Sequence, residues 1–199
     1  MKKSIEVLDP AECQALIDLV YYTEPTNHAY KKNVRDCSMI LLMLDAGLRV
    51  GEVTKLEIDD LVFSDLPVKT LTVRSEVAKN QKERQIPLSP RIQNHISKMM
   101  VTWWNQLEDP AGRPAFTANG QPVPLTPRRV QQIVRKLGLL AFNKKIHPHI
   151  LRHTFATRCM SKTNIRVVQV LLGHSSLSST QIYTHPNGID LQNAINALA

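Results

Sequence analysis

The chain has 199 residues, 43% of them hydrophobic, with 25 Lys/Arg against 17 Asp/Glu and a formal charge of +8. This length suits one domain, and the hydrophobic content supports a buried core and excludes global disorder. Three scattered cysteines without a CxxC pair exclude a disulfide scaffold or zinc ribbon, and the longest apolar run, residues 39–44, is too short to cross a bilayer.

In chain order, Asp9-Pro10-Ala11-Glu12 reads as a helix start, with Asp as N-cap, Pro at the first position and Glu completing a capping box. That helix is expected to end near residue 22. A second helix is expected over 30–46, stopping at Gly47; its stretch Met39-Ile40-Leu41-Leu42-Met43-Leu44 is apolar all round and marks the central core helix. A short helix near 51–56 follows. Then the period changes: Leu61-Val62-Phe63, Leu71-Thr72-Val73 and Gln85-Ile86-Pro87-Leu88 read as one three-stranded antiparallel sheet. Ser89-Pro90 caps a helix to about 107, and residues 108–126 form a long loop with a tight-turn signal at Asn119-Gly120.

Thr126-Pro127 opens a two-faced helix. Val130, Ile133, Val134 and Leu137 make its apolar stripe, while Arg128, Gln131, Gln132 and Arg135 share the other face. Helical segments near 149–160, 164–172 and 178–184 come next, then a tail segment at 187–198. The expected fold class is α+β, mainly α-helical, with one small antiparallel sheet.

Charge is unevenly placed. Residues 1–109 carry 14 Lys/Arg and 16 Asp/Glu, whereas residues 110–199 carry 11 Lys/Arg and a single acid, Asp190. A basic half of that kind points to a polyanion, nucleic acid above all, although a soluble basic surface has the same composition.

Four local patterns carry chemistry. Gly47-Leu48-Arg49-Val50-Gly51-Glu52 sets an arginine just past the buried helix, where it could equally be a salt-bridge partner for Glu52. Ala78-Lys79-Asn80-Gln81-Lys82-Glu83-Arg84 is a charged turn between strands, which most often means a solvated hairpin tip. In His147-Pro148-His149-Ile150-Leu151-Arg152-His153, a helix starting at His149 puts His149, Arg152 and His153 on one face, a natural oxyanion or phosphate clamp. His149 and His153 could instead bind zinc, but no HExxH glutamate or third ligand accompanies them. Finally, Leu172-Gly173-His174 is followed nine residues later by Tyr183, in Gln181-Ile182-Tyr183-Thr184-His185.

Together, in this order and spacing, these blocks resemble the tyrosine recombinase (phage integrase) family over nearly the whole chain. Where family members commonly carry glycines, the turn here reads Ala78-Lys79-Asn80-Gln81-Lys82, so Lys79 is the assigned lysine and Lys82 its alternative. The chain also starts where the catalytic domain of such proteins does, so the expectation is one catalytic domain over 1–199 without the N-terminal DNA-clamping domain, either a minimal recombinase or an excised fragment.

The resemblance implies site-specific DNA cleavage and rejoining through a 3′-phosphotyrosine and a Holliday junction, serving integration, excision, inversion or resolution. It needs no cofactor, metal or ATP. Tyr183 would be the nucleophile; a phenol of pKa near 10 needs help at neutral pH, and His149 is the candidate base. Arg49, Arg152 and His174 would hold the phosphate, and Lys79 would protonate the leaving 5′ oxygen. Glu52 and His153 would support these residues from behind. Lys82, Arg84, Arg128, Arg129, Gln132, Arg135, Lys144 and Lys145 are the candidate DNA contacts. Implied partners are double-stranded DNA, further protomers in a tetramer on two sites, and accessory DNA-bending proteins, with no membrane and a cytoplasmic, nucleoid-associated location. Residues 187–199 would dock on a neighbouring protomer or on their own domain. Competing readings are a type IB topoisomerase, a DNA-binding module without catalysis, and a zinc hydrolase.

Overall fold

Helix α1 (Pro10–Tyr21) opens on the expected reciprocal cap: Glu12 N–H donates to Asp9 Oδ1 at 2.8 Å, and Asp9 N–H donates to Glu12 Oε2 at 3.1 Å. Described in the structure, a computed structural model, are residues 6–21, 28–79, 81–118, 121–174 and 180. The expected segments at 178–184 and 187–198, Tyr183 included, and the Asn119-Gly120 turn fall outside them, apart from Thr180.

Helix α2 (His28–Leu44) is the centre of the fold. Residues 39–44 are at most 1% exposed, so the all-round apolar stretch is enclosed by its neighbours, α1, α5 (Pro90–Thr102) and α7 (Pro148–Met160). Cys37 sits in this core, where burial pushes its thiol up to about 12, with His95 Nε2 3.9 Å from its sulfur. The chain leaves α2 through Gly47 at φ +66°, a left-handed conformation that glycine adopts without steric cost. A Cβ here would also lie 2.4 Å from Phe155 Cδ1 of α7, so α2 and α7 meet at a point where only a hydrogen fits.

Two short helices, α3 (Val50–Val53) and α4 (Ile58–Leu61), lead into the strands. The three-stranded sheet expected from the sequence is not what forms. Strand β1 (Val62–Phe63) turns back at once through Ser64 and Asp65, both at positive φ, and pairs with β2 (Leu66–Pro67). Strand β3 (Thr70–Val73) pairs separately with β4 (Arg84–Pro87) in a second antiparallel ribbon. The two-residue turn consumes β1 before it can reach β3, and Leu61 is the last residue of α4 rather than part of a strand.

Ser89 and Thr126 cap α5 and α6 (Pro127–Phe142) through their side-chain oxygens, each with proline at the start of the helix. The loop between them holds an antiparallel bridge, Thr117 to Pro124, on either side of the turn signal. Helix α8 (Ile165–Leu172) ends at Gly173, φ +62°, and packs on α7 and β4. Among the described residues no helix is long and apolar enough to cross a membrane.

Candidate active site

Three parts of the chain converge on the carboxylate of Glu52, which is 1% exposed. Arg49, at the N-cap of α3, donates from its backbone N–H to Glu52 Oε2 at 2.8 Å and from Nη1 to Oε1 at 3.0 Å. Arg84, at the start of β4, lays its fork across both oxygens: Nη1 to Oε1 at 3.0 Å and Nη2 to Oε2 at 2.7 Å. Arg152, from α7, brings Nη1 to within 3.9 Å of Oε2. Burial acts to raise the pKa of Glu52, but the hydrogen bonds and charge of Arg84, the backbone N–H of Arg49 and the charge of Arg152 outweigh it and leave the pKa lowered. Three guanidinium groups against one carboxylate leave a local surplus of positive charge, the electrostatic requirement for an anion site.

Arg152 is fixed by carbonyls as well as by charge. It donates to the Gly47 carbonyl and, from Nη2, to Leu172 O at 2.7 Å. The same Nη2 lies 3.3 Å from His174 Nε2, and His174 Nδ1 lies 2.9 Å from Thr180 Oγ1. A guanidinium only donates, so His174 Nε2 is the acceptor, and the ring hydrogen sits on Nδ1 and is given to Thr180. Burial, then the charges of Arg152, Arg49 and Arg84, push His174 down to about 4, so it is neutral at pH 7. Gln169 Nε2 holds the His174 carbonyl at 3.1 Å and is itself held by Arg166.

Pro148 and His147 begin α7, so His149 stands in its first turn, solvent-facing, with its ring 6.2 Å from those of both His147 and His153. Partial burial, His147, and then the charges of Arg152, Lys79 and Arg49 hold His149 below its ordinary pKa, which keeps it a neutral proton acceptor. His153 is lowered in the same direction by burial and His149. The charge of Lys79, on the β3–β4 turn, is near enough to act on His149. Val77 and Ala78 are buried beneath exposed Lys79, so the turn is anchored, unlike a free hairpin tip. Among the described residues, no three His, Cys, Asp or Glu side chains gather as metal ligands.

Arg49, Lys79, His149, Arg152 and His174 are thus brought together, with Glu52 behind them and His153 one turn along α7. The expected DNA contacts divide. Arg128, Arg129, Gln132 and Arg135 lie exposed on α6, and Lys82 and Lys145 are exposed. Lys144 is exposed too but pairs with Glu12 of α1. Arg84 is a correction: only 7% exposed, it is spent on Glu52 and on Leu171 O, 3.1 Å from its Nε, and has no surface to offer DNA. Strand alternation carried the signal, because Ile86 faces the core and Arg84, two residues earlier, must share that face. Gln169 and Thr180 were not anticipated; nothing in their local sequence marks them.

The sequence profile described as the phage integrase family matches residues 6–188. The chain belongs to that family. A tyrosine recombinase from Pseudothermotoga lettingae is 36% identical over 97% of this chain and 60% of its own length. The tyrosine recombinase XerD of Staphylococcus haemolyticus is 32% identical over 98% of the chain and 63% of its own. The chain therefore spans about three fifths of these curated relatives. Among solved structures, the XerA recombinase superposes with TM-score 0.77 at 27% identity, covering 99% of this chain and 66% of that one. The XerH recombinase bound to its difH substrate gives 0.75 at 24% identity, covering 98% and 55%, and shares the fold. The family assignment agrees with the resemblance drawn from the four motif blocks, and the mainly helical fold with small antiparallel sheets agrees with the expected class.

Proposed function

We propose that this chain is the catalytic domain of a site-specific tyrosine recombinase that breaks and rejoins double-stranded DNA. The observation that carries the proposal is the set of arginines gathered on Glu52 beside a neutral His149, a neutral His174 and Lys79. An anion site of fixed guanidinium groups, with a proton acceptor and a separate cation at its rim, suits in-line attack on a phosphodiester.

In this reading, Tyr183 Oη attacks the scissile phosphorus, its proton passing to His149. Arg49 and Arg152 offset the charge on the non-bridging oxygens, and His174, which accepts from Arg152 at Nε2, orients that guanidinium. Lys79 gives a proton to the departing 5′ oxygen, leaving a 3′-phosphotyrosine and a 5′-hydroxyl. Attack by a 5′-hydroxyl on that link reverses the step and reseals the strand, because the phosphodiester energy is kept in the covalent bond. The exposed face of α6 lies against the DNA backbone. Four protomers on two sites, exchange through a Holliday junction, help from DNA-bending proteins and a nucleoid location complete the proposal.

The test is covalent capture. Sheared genomic DNA is incubated with the protein, denatured in detergent, and the DNA still attached is sequenced, with Tyr183→Phe alongside. Enrichment of a defined site by the wild type and none by the variant is the expected result. Equal attachment by both proteins, or none by the wild type under conditions where it binds DNA, would overturn the proposal.

A further inference from the structure

We infer that Arg84 is the positioning residue of the phosphate site, the strut that locks the two arginines, the histidine turn and the lysine turn into one geometry. The inference rests on the proposed recombinase reading of that site.

Three contacts support it. The Arg84 fork saturates both oxygens of Glu52, the carboxylate that also takes Arg49. Its remaining edge donates through Nε to Leu171 O, while the neighbouring carbonyl, Leu172 O, accepts from Arg152. Gly173 closes over it: a Cβ there would stand 2.9 Å from Arg84 Cδ, so the left-handed end of α8 is shaped around this side chain and delivers His174 directly afterwards. Arg84 also ends the 74–83 turn, which carries Lys79, and pairs with Val73 across the ribbon. One guanidinium therefore touches or adjoins the segments that supply Arg49, Lys79 and His174, and is linked to α7, which supplies His149 and Arg152, through Glu52 and the end of α8, yet is itself too buried to reach a substrate.

A lysine cannot do this. Its ammonium is a point charge without a planar fork, so it reaches one Glu52 oxygen or the Leu171 carbonyl but not all three acceptors at once. With a neutral residue, Glu52 faces only Arg49 from its own loop and the more distant Arg152 from α7, and burial then favours its protonated form. Protonated Glu52 no longer draws Arg49 into place.

The experiment uses a duplex carrying the site recovered by wild-type capture, with a nick that traps the covalent complex. Wild type, Arg84→Lys and Arg84→Gln are compared for binding and for the rate of complex formation across pH. Both variants are expected to bind the duplex within about threefold of wild type, since Arg84 makes no surface contact. Arg84→Lys is expected to form the complex at least about tenfold more slowly. Arg84→Gln is expected to be slower still and to lose more rate than wild type or Arg84→Lys as pH falls from about 8 to about 5.5, beyond the decline that protonation of His149 gives all three proteins. Wild-type rates for Arg84→Lys would overturn the inference, as would slowing matched by an equal loss of binding, or a slow Arg84→Gln whose decline with pH matches that of wild type. Should Arg84→Gln fail to fold, Arg84→Lys decides. Absence of any wild-type complex would instead overturn the recombinase reading itself.

Discussion

A carboxylate as deeply enclosed as Glu52 stays ionised only through its neighbours, and that makes it a stability device as well as the anchor of three arginines. Its folded pKa is lowered from the ordinary 4.5, so its contribution to stability is present above that value and fades as pH falls through the depressed one. Glu52→Gln keeps the shape and removes the charge, leaving Arg84 and Arg152 buried around a neutral group. We expect it to cost about 3–5 kcal/mol at pH 7, read from urea unfolding midpoints. The difference from wild type should shrink as pH is taken below the ordinary carboxylate range; a gap of constant size would show that the charge is not what Arg84 recognises. His174 has the opposite chemistry but the same tendency. Held down to about 4, it resists protonation while folded, so it too withdraws stability as pH falls from 6.5 towards 4.

At the level of elements, the junctions between α2 and α7 and between α8 and β4 decide where the site residues stand. Gly47→Ala must place a methyl against the Phe155 ring and hold a left-handed backbone without glycine. The two penalties together are about 2–4 kcal/mol, to be checked by urea unfolding; an unchanged midpoint would mean that Phe155 moves aside freely. The helix starts were legible in the sequence because capping is local: Asp9 with Glu12, Ser89 and Thr126 each act within three residues. The sheet was not. Ser64-Asp65 carries no glycine, yet both residues take positive φ, and this unannounced turn split one expected sheet into two ribbons. The motif blocks made Arg49, His149, Arg152 and His174 visible because each brings its own neighbours. Arg84 was misread because charge suggests the surface, and only its register with Ile86 shows otherwise. Gln169 and Thr180 were not found although their partners lie within six residues, because a single glutamine or threonine carries no motif and its hydrogen bonds depend on how the chain turns after α8.

Across the whole molecule, the basic half of the chain is split between two tasks. Arg152 is buried in the site, while Arg128, Arg129 and Arg135 stand exposed on α6, where they are free to meet phosphates. Replacing these three with glutamine should leave folding unchanged and make the salt dependence of DNA binding shallower, by up to about 2.7 in the log–log slope if each meets one phosphate. Fluorescence anisotropy over a series of KCl concentrations measures this; an unaltered slope would move the DNA to another face. The buried ring of contacts has a different consequence, one of time. Arg84 reaches Glu52 across 32 residues and the Leu171 carbonyl across 87, and Arg152 reaches Gly47 across 105. Such long loops close late in folding, since their entropy is spent before any contact rewards it. Under the proposed reading, a locally opened chain that keeps α6 would retain its basic surface for DNA while lacking an assembled centre with which to break it.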